Sequence, residues 1–221
     1  NVYWRGRIWP NVNYMVWLGL RRYGFTAEAT DLAQKSYDLF MQSWRNDRIA
    51  AENYNATTGE AMDQGDTDPF YIWAGLLPLM AAEETIGFDP WRGWTLTNDG
   101  QDVSAGPFLS PRGPALVEIA DGILRLSQGE RPLLSTDLRG SLSGLTFGTR
   151  HFGCVLDQGE AHGTMLSLHH IGLDDVIMAR LDDRHLSALP ADNGVCFDLT
   201  GAEKGARLAI WHRSPASQTP A

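Results

Sequence analysis

The sequence predicts a helical first part followed by a mostly antiparallel, sandwich-like β domain. Three observations carry this. Apolar residues recur at helical spacing before about residue 90, short apolar runs separated by Gly, Pro or Asp dominate after residue 108, and the aromatic residues are sharply uneven. Seven of the eight Trp lie at or before Trp94, and all six Tyr lie at or before Tyr71. Buried Tyr and Trp need polar partners, so a cluster of them often lines a wet cleft.

Pro10 and Asn11 open the first helix, whose apolar run Val12 to Leu20 ends in Arg21 and Arg22. Gly24 supplies the left-handed stop, and the two Arg favour the helix's negative end. Thr26 is read as the cap of a second helix, with Glu28 and Asp31 in its first turns. Ala29, Leu32, Ala33, Ser36, Tyr37, Phe40 and Trp44 form its apolar face. A third helix is expected from about Ile72 to Ile86, stopping at Gly87, with Pro78 either kinking it or marking its true start. The long connection from Asn46 to Tyr71 is of the kind that often carries function.

The β part is read from the runs Leu116–Ala120, Ile123–Ser127, Leu145–Thr149, Gly153–Leu156, Met165–His169, Val176–Leu181, Val195–Leu199 and Leu208–His212. Trp91 to Pro107, containing Asn98-Asp99-Gly100, reads as a connector. The expected organisation is therefore 1–90, a connector at 91–107, and 108–221.

The chain has 221 residues and a formal net charge of −9. Residues 1–90 carry 7 Lys+Arg against 12 Asp+Glu, and the remainder 11 against 15. Neither part offers the basic face that nucleic acid or anionic lipid requires. No apolar run reaches the length of a membrane span. No nucleic-acid or membrane partner is expected. The chain opens at Asn1 with no legible leader and is read as a truncated product, so its compartment is not legible. Two cysteines, Cys154 and Cys196, are too few for a disulfide framework or a thiolate zinc site. They are read as buried small hydrophobes, with a single bridge left open. The six His, at 151, 162, 169, 170, 185 and 212, all fall in the β part. His169 and His170 are expected on opposite faces of one strand. No metal or cofactor is expected.

Three segments could carry chemistry. In Tyr3-Trp4-Arg5-Gly6-Arg7-Ile8-Trp9-Pro10-Asn11-Val12-Asn13-Tyr14, indoles could cover the apolar faces of a pyranose. Arg, Asn and Tyr could bond its hydroxyl rim. An aromatic cluster at a helix start fits the same residues. In Ala51-Glu52-Asn53-Tyr54-Asn55-Ala56-Thr57-Thr58-Gly59, the carboxylate of Glu52 precedes amide and phenol groups that could orient it over a water. A turn carboxylate is the plainer reading. The third segment holds Asp63, Asp66 and Asp68 before Pro69-Phe70-Tyr71-Ile72-Trp73. The Asp spacing does not match an EF-hand, and a solvated loop is expected. Trp73 either joins the aromatic cluster or packs the third helix.

Together these segments resemble glycoside hydrolase family 63 and its bacterial relatives, which include mannosyl-oligosaccharide glucosidases, bacterial α-glucosidases and mannosylglycerate and glucosylglycerate hydrolases. The family pattern is an aromatic-Trp-Arg-Gly-Pro-x-Trp segment, a Glu-Asn-Tyr loop ending in Gly, and an aromatic-x-Trp that opens a helix. Tyr3 to Trp9, Glu52 to Gly59 and Tyr71-Ile72-Trp73 match in order, with Arg7 in place of Pro. The resemblance covers about residues 1–90.

It implies helices from the end of an (α/α)6 barrel and an inverting mechanism. Glu52 matches the family's base, and the family's acid lies earlier than Tyr3. The implied substrate-binding residues are Tyr3, Trp4, Arg5, Gly6, Trp9, Asn13, Tyr54 and Trp73. The implied function is that of an inverting α-glycosidase, α-glucosidase-like, acting on an oligosaccharide or small glycoside. The missing N-terminal part of the barrel would be required. Alternatives are a mannosylglycerate or glucosylglycerate hydrolase, a trehalase, a barrel phosphorylase, or a non-catalytic carbohydrate-binding or accessory subunit.

Overall fold

The structure is a computed structural model that describes residues 4–89, 91–110, 113–157 and 164–213. Tyr3 and His162 lie outside the described residues. The chain separates into two compact units, Asn1–Glu84 and Thr85–Ala221.

The first unit holds helices α1 (Pro10–Arg22), α2 (Thr26–Asp47) and α3 (Leu76–Thr85), and the short strands β1 (Arg7–Ile8) and β2 (Tyr54–Asn55). Helix α1 ends as expected. Gly24 takes a φ of 82°, and the Phe25 amide returns to the Leu20 carbonyl at 2.9 Å. Thr26 is not the cap of α2: it is the first helical residue, Phe25 precedes it, and no side chain caps that end. The buried face of α2 is made by Ala29, Ala33, Ser36 and Ser43. Trp44, assigned to that face by its spacing, is exposed. Small residues on the buried stripe suit close helix packing, and Ala29 and Ala33 join Trp17, Tyr54, Leu77 and Met80 in one core.

The third helix is shorter than its apolar content suggested. Ile72–Gly75 forms a 3-10 turn and α3 starts at Leu76, with Pro78 in its first turn. A proline there removes only an amide that would lack an intrahelical partner. The helix also stops sooner, because Ile86 and Gly87 belong to a strand.

The second unit contains β3 (Ile86–Asp89), β4 (Gly93–Asn98), β5 (Val103–Ser110), β6 (Gly113–Ala120), β7 (Ile123–Gln128), β8 (Arg131–Thr136), β9 (Gly140–Phe147) and β10 (His151–Asp157). It continues with β11 (Met165–Leu168), β12 (Val176–Leu181), β13 (Arg184–His185), β14 (Leu189–Ala191), β15 (Gly194–Asp198) and β16 (Ala206–His212). Two seven-stranded antiparallel sheets result. Their strand orders are β13-β12-β16-β10-β9-β4-β3 and β14-β15-β11-β8-β7-β6-β5. A mostly β second part is what the sequence predicted.

The stretch from 91 to 107 is not a loose connector. Buried and part-buried residues alternate along β4, and Trp94 lies opposite Leu145 in the adjacent strand. The Asn98-Asp99-Gly100 turn signal separates β4 from β5, and Gly100 has a φ of 87°. Glycine takes that left-handed conformation without steric penalty. β8 was also unpredicted, since Pro132 and a short Leu133-Leu134 pair give little alternation. Inward side chains of the two sheets meet in one core. Leu96, Leu145, Phe152 and Leu208 from one sheet join Val117, Leu126, Leu134 and Phe197 from the other. Each buried side chain of this size contributes roughly 1.5–3 kcal/mol.

Cys154 and Cys196 are buried free thiols on different sheets. Burial pushes the Cys154 thiol up to about 12. His169 and His170 fall beyond the end of β11 rather than on opposite faces of it. His169 pairs with Ser135 at 2.9 Å, and the His170 ring meets Phe147 and His212.

Candidate active site

The first unit brings its three motif segments together through backbone pairing. β1 and β2 run antiparallel with Arg7 opposite Asn55 and Ile8 opposite Tyr54. On the other side of the Glu52 segment, Ala50 bridges Phe70 in parallel. The Glu52 amide donates to the Asp68 carbonyl at 2.9 Å, and the Tyr71 amide donates to Ala50 at 2.9 Å. Residues 50–55 thus run between two other stretches, with Glu52 held at its backbone.

Aromatic rings gather beside it. The Trp73 indole donates to the Glu52 carbonyl at 2.8 Å. Trp73 meets Trp9 edge-on at 6.1 Å, and Trp9 meets Trp4 at 3.9 Å between ring centres. Tyr71 lies 4.2 Å from Trp73. Trp9 is buried, Trp73 is partly buried and Trp4 is exposed, so the cluster grades from core to surface. Arg5 and Gly6 are exposed on the turn that follows Trp4, and Gly6 turns there at a φ of 77°.

Arg7 is the anchor that sequence reasoning missed. Its side chain is fully buried, and its guanidinium makes a forked pair with Asp63 at 3.2 and 2.8 Å. Its Nε donates to Asn53 Oδ1. A planar fork suits a carboxylate, which is why lysine would not serve equally. Asn55 adds a 2.7 Å bond to Asp63. The hydrogen bonds from Arg7 and Asn55 hold the Asp63 carboxyl below its ordinary value. Asp63, read as part of a solvated loop, is therefore a structural ion-pair partner.

The Asn53 amide is oriented by that arrangement. Its oxygen accepts from Arg7, so its nitrogen turns toward Glu52 Oε2 at 3.5 Å. The chain Arg7, Asn53, Glu52 fixes the surroundings of the carboxylate and leaves it only weakly engaged. Beyond it, the Asn55 side chain accepts from the Thr57 and Thr58 amides, and Gly59 closes the turn at a φ of 74°.

Two of the expected sugar-binding residues have structural partners within this unit. Tyr54 has no exposed surface and packs in the core, where burial raises its phenol pKa. Asn13 sits on α1 and donates to Ser36 Oγ of α2 at 3.1 Å. A period argument could not separate these from cleft residues, because a polar side chain on an amphipathic face serves either purpose. A second polar cluster joins the helices. Glu84 accepts from Trp17 at 2.6 Å and Thr30 at 2.7 Å and pairs with Arg21 at 3.2 Å. Glu83, whose pKa is raised by burial, accepts from Tyr14.

Residues 1–74 match the family model of the mannosylglycerate hydrolase MGH1-like glycoside hydrolase domain. The resemblance to the family 63 group thus holds for the first third of the chain, and with it a glycosidase-related function. No curated protein and no solved structure matches the chain.

Proposed function

We propose that the first unit is part of the (α/α)6 catalytic domain of an inverting α-glycosidase in which Glu52 is the general base. The observation that carries this is the setting of Glu52. Its amide is bonded to the Asp68 carbonyl, its own carbonyl accepts from Trp73, and among the described residues its carboxylate meets the Asn53 amide alone, at 3.5 Å. A carboxylate held in place but not neutralised by a cation can accept a proton from water. The exposed ring of Trp4, backed by the buried Trp9, suits the apolar face of a sugar.

In an inverting site one carboxylic acid protonates the leaving oxygen and a carboxylate activates water on the opposite face. The two stand roughly 6.5–9.5 Å apart. On this reading the acid comes from a further part of the barrel outside these residues. Arg7 and Asn53 act as positioning residues, while Trp4, Arg5 and Trp73 contact substrate. The substrate is an α-glucoside, or a small mannoside of the kind named in the family description.

Glu52→Gln in the intact enzyme tests the assignment. It keeps the shape but removes the basic oxygen, so kcat should fall by about 10²–10⁴-fold with little change in substrate affinity. Proton NMR of the first product formed should find an inverted anomeric configuration. Near wild-type kcat, or a retained configuration, would remove Glu52 from this role.

A further inference from the structure

The second unit contains a cleft of about 390 Å³ that has no part in the chemistry above. It opens where β3, β4 and β9 of one sheet face β7 and β8 of the other. Its two walls differ in kind. Phe88, Trp91 and Phe147 come from the first sheet and its turn, Gln128 and Arg131 from the second, and His170 from the turn after β11. Gln128 and Arg131 are a cross-strand pair at the mouth of one hairpin, which sets an amide beside a guanidinium. Trp91 stands on the turn after β3 and is 91% exposed. Gly93 also lines the cleft, and a side chain there would meet the Leu145 carbonyl of the adjacent strand at 2.2 Å, so that position suits only glycine.

We propose that this cleft binds a neutral sugar ring and makes the β unit a carbohydrate-binding module. A volume of this size lies within the range of small-molecule sites. An aromatic wall facing hydrogen-bonding groups matches a ring with apolar C–H faces and a hydroxyl edge. Gln128 both donates and accepts, and Arg131 donates, as hydroxyl recognition requires. A lipid would leave that polar wall unmatched. A polyanion would find one arginine and no lysine among the described lining residues. This inference does not rest on Glu52 or on the family match, which ends before the second unit.

The test is calorimetric titration of the 221-residue chain with maltotriose, cellotriose and mannotriose, repeated on Trp91→Ala, Arg131→Ala and Trp73→Ala. Trp91 and Arg131 are exposed, so their loss should leave the melting profile unchanged. At least one trisaccharide should bind saturably. Trp91→Ala and Arg131→Ala should each weaken that binding about tenfold, the effect of losing roughly 1.4 kcal/mol. Trp73→Ala, in the first unit, should not alter it. Absence of binding by all three sugars overturns the proposal, as does full affinity in Trp91→Ala or Arg131→Ala. Loss with Trp73→Ala alone would place the sugar in the first unit and overturn it too. Glu52→Gln leaves this binding intact, so the catalytic reading and this one can fail separately.

Discussion

The two units bury their apolar residues to different degrees. In the second, facing sheets enclose a continuous core from Ile86 to Ile210. In the first, Val12, Met15, Val16 and Leu18 of α1 stay exposed, as do Phe25 and Phe70, while the buried cluster is small and rich in alanine. The first unit relies more on polar links between distant segments: Arg7 with Asp63 and Asn53, and Glu84 with Trp17, Thr30 and Arg21. Packing holds the β unit, whereas directional bonds hold the motif segments of the helical unit in register. Directional bonds suit a site whose groups must be placed, and a packed core suits a rigid scaffold.

The largest effect expected from this difference is in the second unit. Phe152 is fully buried, so Phe152→Ala should destabilise by about 3–5 kcal/mol. Hydrogen exchange should register the loss along β10 and its partner β16. A cost below about 1 kcal/mol would mean that the core is not packed as described.

Next comes Arg7→Met, which keeps the aliphatic volume and removes the fork. Breaking a buried ion pair from one side costs about 3–5 kcal/mol, and Asp63 retains some water contact, so the lower end applies. Exchange protection should fall around residues 50–55 and stay unchanged in the β strands. Arg7→Lys should recover only part of the loss. Equal loss in both units would erase the contrast.

A pH series sharpens the same point. The Asp63 pKa is lowered by folding, so its contribution is fully present above the unfolded carboxylate value, near 3.9, and disappears as pH falls through the lower folded value. First-unit stability should therefore decline in acid below about pH 4, and Asp63→Asn should flatten that slope. A slope left unchanged in Asp63→Asn would assign it to other carboxylates.

The smallest effect belongs to the outer face of α1. Met15 is 60% exposed, so Met15→Lys should change stability by no more than about 0.5 kcal/mol. Urea unfolding of the chain checks this. A much larger loss would mean that the face is covered in solution.

The division between helical and strand patterning, the stop of α1 at Gly24 and the positions of most β strands were legible in the amino-acid sequence. These depend on residues within a few positions of one another, where periodicity and backbone preference act directly. The match over residues 1–74 agrees with motifs that were legible as three short segments in order. What several of those residues do follows from contacts between distant segments. Arg7 looked like a minor departure and is the buried partner of a carboxylate 56 positions away. Tyr54 looked like a sugar contact and is core, and Asn13 bonds a second helix 23 positions on. β4 read as connector because one of its partners is the much later β9, where Trp94 meets Leu145, and β5 because it is a mostly exposed edge strand without clean alternation. A side chain's role at such distances is set by which segments pack together, and local pattern carries no record of that pairing.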